Sequence, residues 1–227
     1  MADLDGDGRT DLVSGSWPGE LHWFRRKPNG TYATAQTLRT SNGTLNAGKA
    51  SAIAVADWDG DRDLDLIIGN IEGQVLLAIN EGDPQQPVFG RAVPLSAGGR
   101  GIKVDSDAGP HVADWDGDGR QDLLVGAGSG AVRWYRNTGT AMKPALAAEV
   151  TLLDDSAIQV TGTPKRSAGR SKPAVADWDG DGRPDLLVGD FWINSNASDD
   201  GGATHGGVWV YLQTANAGSP AVSERAP

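Results

Sequence analysis

The feature that most constrains this chain is an acidic nonamer that occurs four times. The copies are loop 1 (residues 3–11, DLDGDGRTD), loop 2 (57–65, DWDGDRDLD), loop 3 (114–122, DWDGDGRQD) and loop 4 (177–185, DWDGDGRPD). Each copy has carboxylates at positions 1, 3, 5 and 9. Alternate side chains of a tightly curved loop point inward, and glycine at position 6 permits the sharp turn that brings them together. The spacing therefore predicts four loops with converging carboxylates.

Converging carboxylates predict a bound cation. Carboxylates packed within a few ångströms repel one another unless a positive charge lies among them. Oxygen ligands without His or Cys favour Ca²⁺ over transition metals, and the crowding of carboxylates suits Ca²⁺ better than Mg²⁺. The alternative is that each DGDG segment is only a turn between strands. Four copies with every acidic position filled favour the metal interpretation.

The nonamer differs from an EF-hand after its ninth position. An EF-hand has a bidentate Glu at position 12 and a helix on each side. Here position 12 is Val125 in loop 3 and Val188 in loop 4, each within a short apolar run that ends in glycine. Such runs are typical of strands. The loops are therefore predicted to connect strands.

Length and charge bound the class of protein. A chain of 227 residues is long enough for one large all-β domain with a substantial core. The loops contain 17 of the 30 acidic residues, so four bound Ca²⁺ ions would change the formal charge from −10 to about −2. This acidity argues against a nucleic-acid partner. The absence of cysteine excludes disulfides. The sequence contains no run of 18 apolar residues, so it predicts no membrane-spanning helix.

The loops mark four repeats with periods of 54, 57 and 63 residues, which are typical of propellers or solenoids. Each unit is predicted to have a strand leading into its loop, a strand leaving it, a third strand and an outer strand. The leading strands are predicted at 53–56, 111–113 and 174–176, the leaving strands at 12–15, 64–69, 123–126 and 186–189, and the third strands at 20–25, 74–80, 131–137 and 208–213. The first unit lacks its leading strand.

The outer strands and the insertions are less regular. Outer strands are predicted to begin at Pro87, Pro144 and Pro220, because an edge strand tolerates a leading proline, and the first unit has the run 32–38 instead. Three insertions, at 97–109, 154–172 and 191–207, are predicted as loops. Long loops on a rigid β scaffold are where binding function is usually found.

The pattern D-x-D-G-D-G-x-x-D-L-L-V-G, preceded by A-V-A-D, resembles the FG-GAP or VCBS-type repeats of calcium-binding β-propellers, including integrin alpha-subunit heads. The resemblance covers essentially the whole chain. It implies an all-β propeller of four-stranded antiparallel blades, with the metal loop joining the innermost strand to the second. We expect a single β-propeller domain over residues 1–227, with blades at approximately 1–40, 51–97, 110–153 and 173–227. Such propellers commonly have seven or eight blades, so four are expected to be an excerpt of a larger ring or half of one completed by a second copy.

The resemblance also implies up to four Ca²⁺ ions, one per repeat, and a ligand set for each. The side-chain ligands would be Asp3, Asp5, Asp7 and Asp11; Asp57, Asp59, Asp61 and Asp65; Asp114, Asp116, Asp118 and Asp122; and Asp177, Asp179, Asp181 and Asp185. Position 7 would add a backbone carbonyl from Arg9, Asp63, Arg120 and Arg183. Loop 2 has Arg62 at position 6, where a left-handed backbone would add roughly 1 kcal/mol of strain. Its site is predicted to be the weakest, unless Asp63 supplies an extra oxygen.

The repeated tryptophans are predicted to pack. An apolar residue at position 2 is expected to lie between blades, and the four are Leu4, Trp58, Trp115 and Trp178. Three tryptophans are predicted at matching places in the third strands, namely Trp23, Trp134 and Trp209. Two others, Trp17 and Trp192, fall in turns between second and third strands. They are candidates for stacking on sugar rings, with ordinary packing of the turn as the alternative.

The sequence favours a non-catalytic scaffold. We expect an extracellular, cell-surface or periplasmic binding or adhesion module with structural Ca²⁺, because loops of this kind work best where calcium is about millimolar. Its partner would be a protein or a carbohydrate. The alternative is the propeller module of a secreted carbohydrate-active enzyme similar to polysaccharide lyases. That function needs a catalytic group outside the loops, and the candidates are His111 and the segment from Asp199 and Asp200 to His205.

Overall fold

The computed structural model of the chain describes residues 1–83, 85–154, 168–193, 204–214 and 222–225, and every regular element in these ranges is a strand. No helix in the described ranges is long and apolar enough to cross a membrane. Sheet 1 contains β1 (Leu12–Gly15), β2 (Leu21–Phe24) and β3 (Gln36–Thr37), in that order. Short hairpins formed by β4 (Arg39–Thr40) with β5 (Gly43–Thr44) and by β10 (Ser96–Ala97) with β11 (Arg100–Gly101) follow sheets 1 and 2.

The other three sheets each have four antiparallel strands in chain order. Sheet 2 contains β6 (Ala52–Ala56), β7 (Asp65–Gly69), β8 (Val75–Ala78) and β9 (Val93–Pro94). Sheet 3 contains β12 (Gly109–Ala113), β13 (Asp122–Gly126), β14 (Val132–Tyr135) and β15 (Val150–Leu153). Sheet 4 contains β16 (Ala168–Ala176), β17 (Asp185–Ile193), β18 (Thr204–Gln213) and β19 (Val222–Arg225).

The acidic loops connect the first two strands of sheets 2, 3 and 4. The position-9 aspartate begins the second strand and lies opposite the last residue of the first, as Asp65 lies opposite Ala56 and Asp122 opposite Ala113. In sheet 1 an isolated bridge between Ala2 and Asp11 takes the place of the first strand. The prediction of loops between strands, with a shortened first unit, is confirmed.

The sheets pack side by side as the blades of a β-propeller. The inner strand β6 packs against β1 on one side and β12 on the other, and β12 also packs against β16. An apolar core fills each boundary, and the position-2 residue of the preceding loop lies in or beside it: Leu4 between sheets 1 and 2, Trp58 between sheets 2 and 3, and Trp115 between sheets 3 and 4. These three are buried as predicted, whereas the prediction was wrong for Trp178, which is 56% exposed.

Glycine at the end of the second strands of sheets 2 and 3 allows the inner strand of the next sheet to come close. A Cβ atom added to Gly69 would collide with the backbone carbonyl of Ala108, and one added to Gly126 would collide with that of Ser171. Both carbonyls belong to the segment that enters the next sheet. The fully buried Ser171 strengthens the same contact, since its hydroxyl donates to the Ala131 carbonyl at 2.7 Å.

The predicted starts of the outer strands were wrong in sheets 2 and 3. The strands begin at Val93 and Val150, six residues after Pro87 and Pro144. The prolines lie instead in a turn that an asparagine organises. The Asn80 side chain accepts hydrogen bonds from the backbone of Gly82 and Val88, both at 3.1 Å, and Asn137 accepts equivalent bonds from Gly139 and Ala145. Pro220 lies outside the described residues.

The insertions also differ from prediction. The segment 97–109 contains the last residue of β10 and all of β11, which pair as a hairpin. Residues 191–193 and 204–207 continue strands β17 and β18, with Trp192 opposite His205, so they are not a loop. Residues 155–167 and 194–203, including Asp199 and Asp200, lie outside the described part of the chain, as do the side chains of Trp192 and His205.

The placement of Trp209 beside Trp23 and Trp134 was wrong by one residue. Trp134 pairs with Leu124, which lies two residues after the position-9 aspartate of loop 3. Trp209 pairs with Val188, which lies three residues after the position-9 aspartate of loop 4. Neighbouring residues of a strand face opposite sides of the sheet. Trp209 is therefore directed toward sheet 3 and packs in that core.

Candidate metal centres

The four loops have a common backbone conformation. Positions 4 and 6 are left-handed in every loop, with φ of 72° at Gly117 and 84° at Gly119 in loop 3. This curvature directs backbone N–H groups at the position-1 carboxylate. Asp114 accepts hydrogen bonds from Asp118 at 3.0 Å and Gly119 at 2.8 Å. Glycine suits both turns, because it adopts positive φ at no steric cost.

Loop 2 keeps this conformation without glycine at position 6. Arg62 has a φ of 81°, close to the 83° of Gly8 and the 85° of Gly182. Its N–H donates to Asp57 at 3.1 Å, as the glycine N–H does in the other loops. The expectation of a left-handed arginine is confirmed, and the strain it carries remains in the loop.

Each loop brings three carboxylates together. One oxygen from each lies within 4.8 Å of the other two, and the groups are Asp3, Asp5 and Asp11; Asp57, Asp59 and Asp61; Asp114, Asp116 and Asp122; and Asp177, Asp179 and Asp185. Loops 1, 3 and 4 thus contribute positions 1, 3 and 9, whereas loop 2 contributes positions 1, 3 and 5. The fourth predicted side-chain ligand of each loop, namely Asp7, Asp65, Asp118 and Asp181, lies outside its group.

The position-9 aspartate is the most buried carboxylate of each loop. Asp122 is fully buried; one oxygen accepts a hydrogen bond from Asn137 N–H at 2.7 Å, and the other accepts bonds from Trp115 N–H at 3.3 Å and the Trp134 indole at 2.9 Å. Burial raises the pKa of Asp122 to about 6, against the effect of these donors. Burial likewise raises the pKa of Asp65 to about 6. The position-9 aspartate therefore links the loop, through its hydrogen bonds, to the third strand of the same sheet.

The position-5 aspartate forms an ion pair with the position-7 arginine in three loops. The guanidinium of Arg120 pairs with Asp118 while its Nε donates to the Asn137 carbonyl at 2.8 Å, and Arg183 and Asp181 repeat the arrangement at Gln213. Loop 1 does the same with Arg9 and Asp7. Loop 2 has Asp63 in place of this arginine, and there the position-5 carboxylate joins the group instead.

Sequence reasoning missed a second pair of arginines. Nε of Arg25 lies 2.8 Å from Oδ2 of Asp5, and Nε of Arg136 lies 2.5 Å from Oδ2 of Asp116. Both arginines occur 14 residues after the position-9 aspartate, on the exit from the third strand. Equal spacing from the loop was the only available signal, and it does not reveal a contact across strands.

The donor set fits a hard divalent cation. Every ligand atom that the groups offer is a carboxylate oxygen. Oδ1 of Asp5 and Oδ1 of Asp116 are buried and receive no hydrogen bond in the described ranges. Burial raises the pKa of both carboxyls, and neighbouring aspartates raise it further: Asp11 for Asp5 and Asp118 for Asp116. A cation bound between these oxygens would satisfy them and remove the repulsion.

The other candidates have different surroundings. The Trp17 side chain is 65% exposed in the turn after β1. His111 is half-buried, and its Nε2 accepts the N–H of Val175 at 3.2 Å, which ties β12 to β16; burial lowers its pKa. A cavity of about 550 Å³ lies between sheets 1 and 2, lined in part by Trp23, Arg25 and Val88. Sequence analysis did not predict this cavity.

Comparison with known proteins shows that the chain matches one family profile three times and is similar to two curated proteins. A family profile described as FG-GAP-like repeat matches residues 3–68, 57–125 and 114–188, each match extending from one acidic loop to the strand beyond the next. Cartilage acidic protein 1 of Xenopus tropicalis is 26% identical over 136 residues, which is 56% of this chain and 20% of that protein. The Homo sapiens protein of the same name is 25% identical over the same length. The chain spans about a fifth of the length of these relatives.

Two solved structures resemble the fold. A lectin of Agrocybe aegerita, reported to recognise non-reducing terminal N-acetylglucosamine, matches with a TM-score of 0.50 and 24% identity over 90% of this chain and 50% of its own. A chain of the Photorhabdus luminescens Tc holotoxin pore matches with a TM-score of 0.49 and 20% identity over 90% of this chain and 8% of its own. The lectin agrees with the propeller fold described above.

Proposed function

The chain belongs to the FG-GAP-like repeat family, and on that premise we propose that it is a non-catalytic binding scaffold whose blades are stabilised by Ca²⁺. One observation carries the proposal. A group of three converging carboxylates recurs at the equivalent turn of all four sheets, although the surrounding sequence varies. In loops 1 and 3, Oδ1 of Asp5 and Oδ1 of Asp116 are buried and accept no hydrogen bond among the described residues, which a turn that served only to reverse the chain would not need.

The ions would be held by the three-carboxylate groups, and the fourth aspartate and the position-7 carbonyl of each loop would be candidates for further oxygen ligands. When bound, Ca²⁺ supplies positive charge and coordination geometry and takes part in no reaction. The position-9 aspartate gives this a structural consequence. Because Asp122 also accepts hydrogen bonds from Asn137 and Trp134, an ion on its carboxylate would be linked to the third strand of the sheet. Folding and metal binding would then stabilise each other.

Thermal unfolding tests the proposal. We expect the melting temperature of chelator-stripped protein to rise by many degrees in millimolar Ca²⁺, by much less in equal Mg²⁺, and to fall again with EDTA. Asp114→Ala and Asp177→Ala each remove the position-1 carboxylate of one loop. Both are expected to reduce the rise in melting temperature that Ca²⁺ causes. A melting temperature that does not respond to Ca²⁺ or chelator would contradict a structural role.

We further propose that the scaffold acts outside the cell, on the cell surface or in the periplasm, where calcium is about millimolar. Its partner would be a protein or a carbohydrate bound at the loop-bearing faces, with Trp17 and Trp192 as candidate contacts. Binding of calcium-loaded protein to glycan and protein arrays, compared with Trp17→Ala, tests this. Binding unchanged by the substitution would remove Trp17 from the partner site.

The enzymatic alternative needs a catalytic group outside the acidic loops. Among the described residues, His111 accepts a backbone hydrogen bond between two inner strands, which is a structural role. An activity screen on polyanionic polysaccharides separates this alternative from the scaffold. Turnover that survives substitution of the loop carboxylates would favour the enzyme.

A further inference from the structure

The cavity between sheets 1 and 2 is cationic, although the chain as a whole is acidic. Two arginines, Arg25 and Arg39, line it together with three glutamines and a threonine, and no acidic residue does. The formal charge of the whole chain is −10. The volume of about 550 Å³ falls within the range of roughly 300–1,000 Å³ that small-molecule sites have. The cavity therefore has the size of a ligand site and the charge to attract an anion.

The guanidinium group of Arg25 is held in place from two sides. Its Cζ lies 4.5 Å from the centre of the Trp23 ring, and its Nε lies 2.8 Å from Oδ2 of Asp5. Trp23 is itself fixed, since its indole donates to the Asp11 carboxylate at 2.8 Å. Within the described ranges the terminal nitrogens of Arg25 make no hydrogen bond, so they are available as donors. A guanidinium that is already oriented loses less conformational freedom when a ligand binds.

Arg39 supplies a second cation, and it has no counter-ion. Its side chain is exposed, and none of the ion pairs among the described residues includes it. Its backbone is fixed, because its carbonyl accepts the N–H of Phe89 at 3.1 Å. This hydrogen bond also joins the two walls of the cavity, since Phe89 directly follows the lining residue Val88.

The opposite wall is a turn with a well-held backbone. Oδ1 of Asp83 accepts the N–H groups of Gln85 at 2.9 Å and Gln86 at 2.8 Å, and Asn80 accepts that of Val88 at 3.1 Å. The side chains of Gln85 and Gln86 form no hydrogen bond with a described residue. An amide side chain both donates and accepts, so it suits the hydroxyl groups of a ligand.

The repeat architecture does not require this polar lining. The next boundary, between sheets 2 and 3, has the same framework, since Ala97 bridges Leu146 there as Thr40 bridges Phe89 here. The residues in the places of Arg25, Gln36, Arg39 and Gln85 are Ile79, Val93, Ser96 and Met142. All four are uncharged and three are apolar. The arginines and glutamines therefore point to a function that belongs to the boundary of sheets 1 and 2.

We propose that this cavity binds a saccharide that carries a carboxylate or a sulfate group. The inference deepens the proposed function, a binding scaffold, and rests on it. Arg25 and Arg39 bind the anionic group through charge-assisted hydrogen bonds, and the glutamine amides bind the hydroxyl groups. An acidic peptide would match the two arginines but would leave most of the amide groups unused, because it offers few hydroxyls.

Calorimetric titration of the calcium-loaded protein with glucuronate, glucose 6-sulfate and glucose at low salt tests the proposal. We expect one or both sugar acids to bind, with glucose weaker by about 10-fold or more. The two acids distinguish a carboxylate from a sulfate ligand. Inorganic sulfate and a penta-aspartate peptide are titrated in parallel, and both should bind more weakly than the preferred sugar acid.

Arg39→Gln is the principal variant, because it removes a charge that no described residue pairs with. It should weaken binding of the preferred sugar acid by about 10-fold or more. Arg91→Gln is the matched control, since Arg91 is exposed but does not line the cavity, and it should leave binding unchanged. Val88→Trp fills the cavity without changing its charge and should abolish binding. Circular dichroism establishes that each variant is folded.

Equal binding of glucose and the sugar acids would overturn the proposal, as would unchanged binding in Arg39→Gln. Tighter binding of penta-aspartate would assign the cavity to acidic protein segments, and sulfate as tight as glucose 6-sulfate would reduce it to an anion patch; either result overturns the saccharide. Melting temperatures in Ca²⁺ and EDTA are measured on the same protein. A calcium-dependent rise without sugar-acid binding rejects this inference and leaves the calcium-stabilised scaffold standing, whereas sugar-acid binding without such a rise rejects only the role of calcium.

Discussion

At the scale of single residues, the position-9 aspartate has two roles. Its carboxylate belongs to the acidic group in loops 1, 3 and 4, and it accepts hydrogen bonds from the loop and the third strand. The position-5 aspartate is more exposed and pairs with arginine. Removing these two carboxylates should therefore have different effects on the stability of the metal-free protein.

Asp122→Ala is expected to lower the free energy of unfolding in EDTA by about 3 kcal/mol or more, because it leaves three buried N–H donors without an acceptor. Asp118→Ala is the matched control and should cost about 1 kcal/mol or less, since it breaks ion pairs whose arginines are partly exposed to solvent. Urea unfolding measures both. Equal losses would contradict the structural role of position 9.

Arg62→Gly should relieve the left-handed strain in loop 2. We expect the metal-free protein to gain about 1 kcal/mol and the weakest calcium site to bind more tightly. Arg62→Ala removes the same charge but keeps the strained backbone, so it separates the two causes. If Arg62→Ala tightens calcium binding as much as Arg62→Gly, charge and not backbone strain limits the site.

The sequence predicted these residues unequally. The carboxylate spacing is local, so the loops, their curvature and the left-handed Arg62 could be read directly. The contacts of Arg25 and Arg136 depend on how the third strand passes the loop, which the spacing does not encode. For the same reason, the pairing of position 5 with the position-7 arginine was not foreseen.

At the scale of strands, the close approach of neighbouring sheets depends on glycine. Gly126→Ala would drive a methyl group into the Ser171 backbone and should cost about 2 kcal/mol or more. Gly189→Ala is the equivalent change in sheet 4, where the described residues place only the Lys172 carbonyl near the added methyl group, at 3.8 Å, and it should be nearly neutral. Melting temperatures in calcium compare them. A tolerated Gly126→Ala would contradict the described packing of sheets 3 and 4.

Strand prediction succeeded where the apolar pattern and the loops agreed. The second strands were predicted to within one residue at their starts in all four sheets, because each follows directly from an acidic loop. The outer strands were wrong because Asn80 and Asn137 organise turns that extend beyond the prolines. The one-residue error at Trp209 reversed its face, since side chains alternate along a strand.

At the scale of the whole molecule, stability should depend on pH in opposite ways with and without calcium. The folded-state pKa values of Asp65 and Asp122 are raised to about 6, from 3.8. A raised acid pKa stabilises the folded state at low pH, and that contribution is lost as pH rises through 6. In EDTA, these two groups should make the protein more stable at pH 5 than at pH 7, by about 1 kcal/mol each.

Protons and calcium compete for the Asp122 carboxylate, which belongs to the loop 3 group, so the stabilisation conferred by Ca²⁺ should shrink over the same pH range. Melting curves at pH 5, 6 and 7, each with Ca²⁺ and with EDTA, measure both effects. The two sets are expected to converge toward pH 5. A calcium-dependent gain that is constant from pH 7 to pH 5 would show that Asp122 does not titrate as described.

The repeat periods and the four loops were enough to predict the propeller architecture. They did not predict that equivalent residues are more exposed in sheets 1 and 4 than at the boundaries between sheets. Trp178 has the same local sequence as Trp115, and only the presence or absence of a following sheet makes one exposed and the other buried. A repeat pattern predicts what each unit contributes to a boundary, but it does not show which boundaries are covered.

The most direct test is a calorimetric titration of chelator-stripped protein with Ca²⁺ at pH 7. We expect up to four equivalents to bind, with the weakest assigned to loop 2, and the stoichiometry to fall by one in Asp114→Ala, which removes a position-1 ligand from loop 3. A titration with no binding up to millimolar Ca²⁺ would contradict the central claim that these acidic loops are calcium sites.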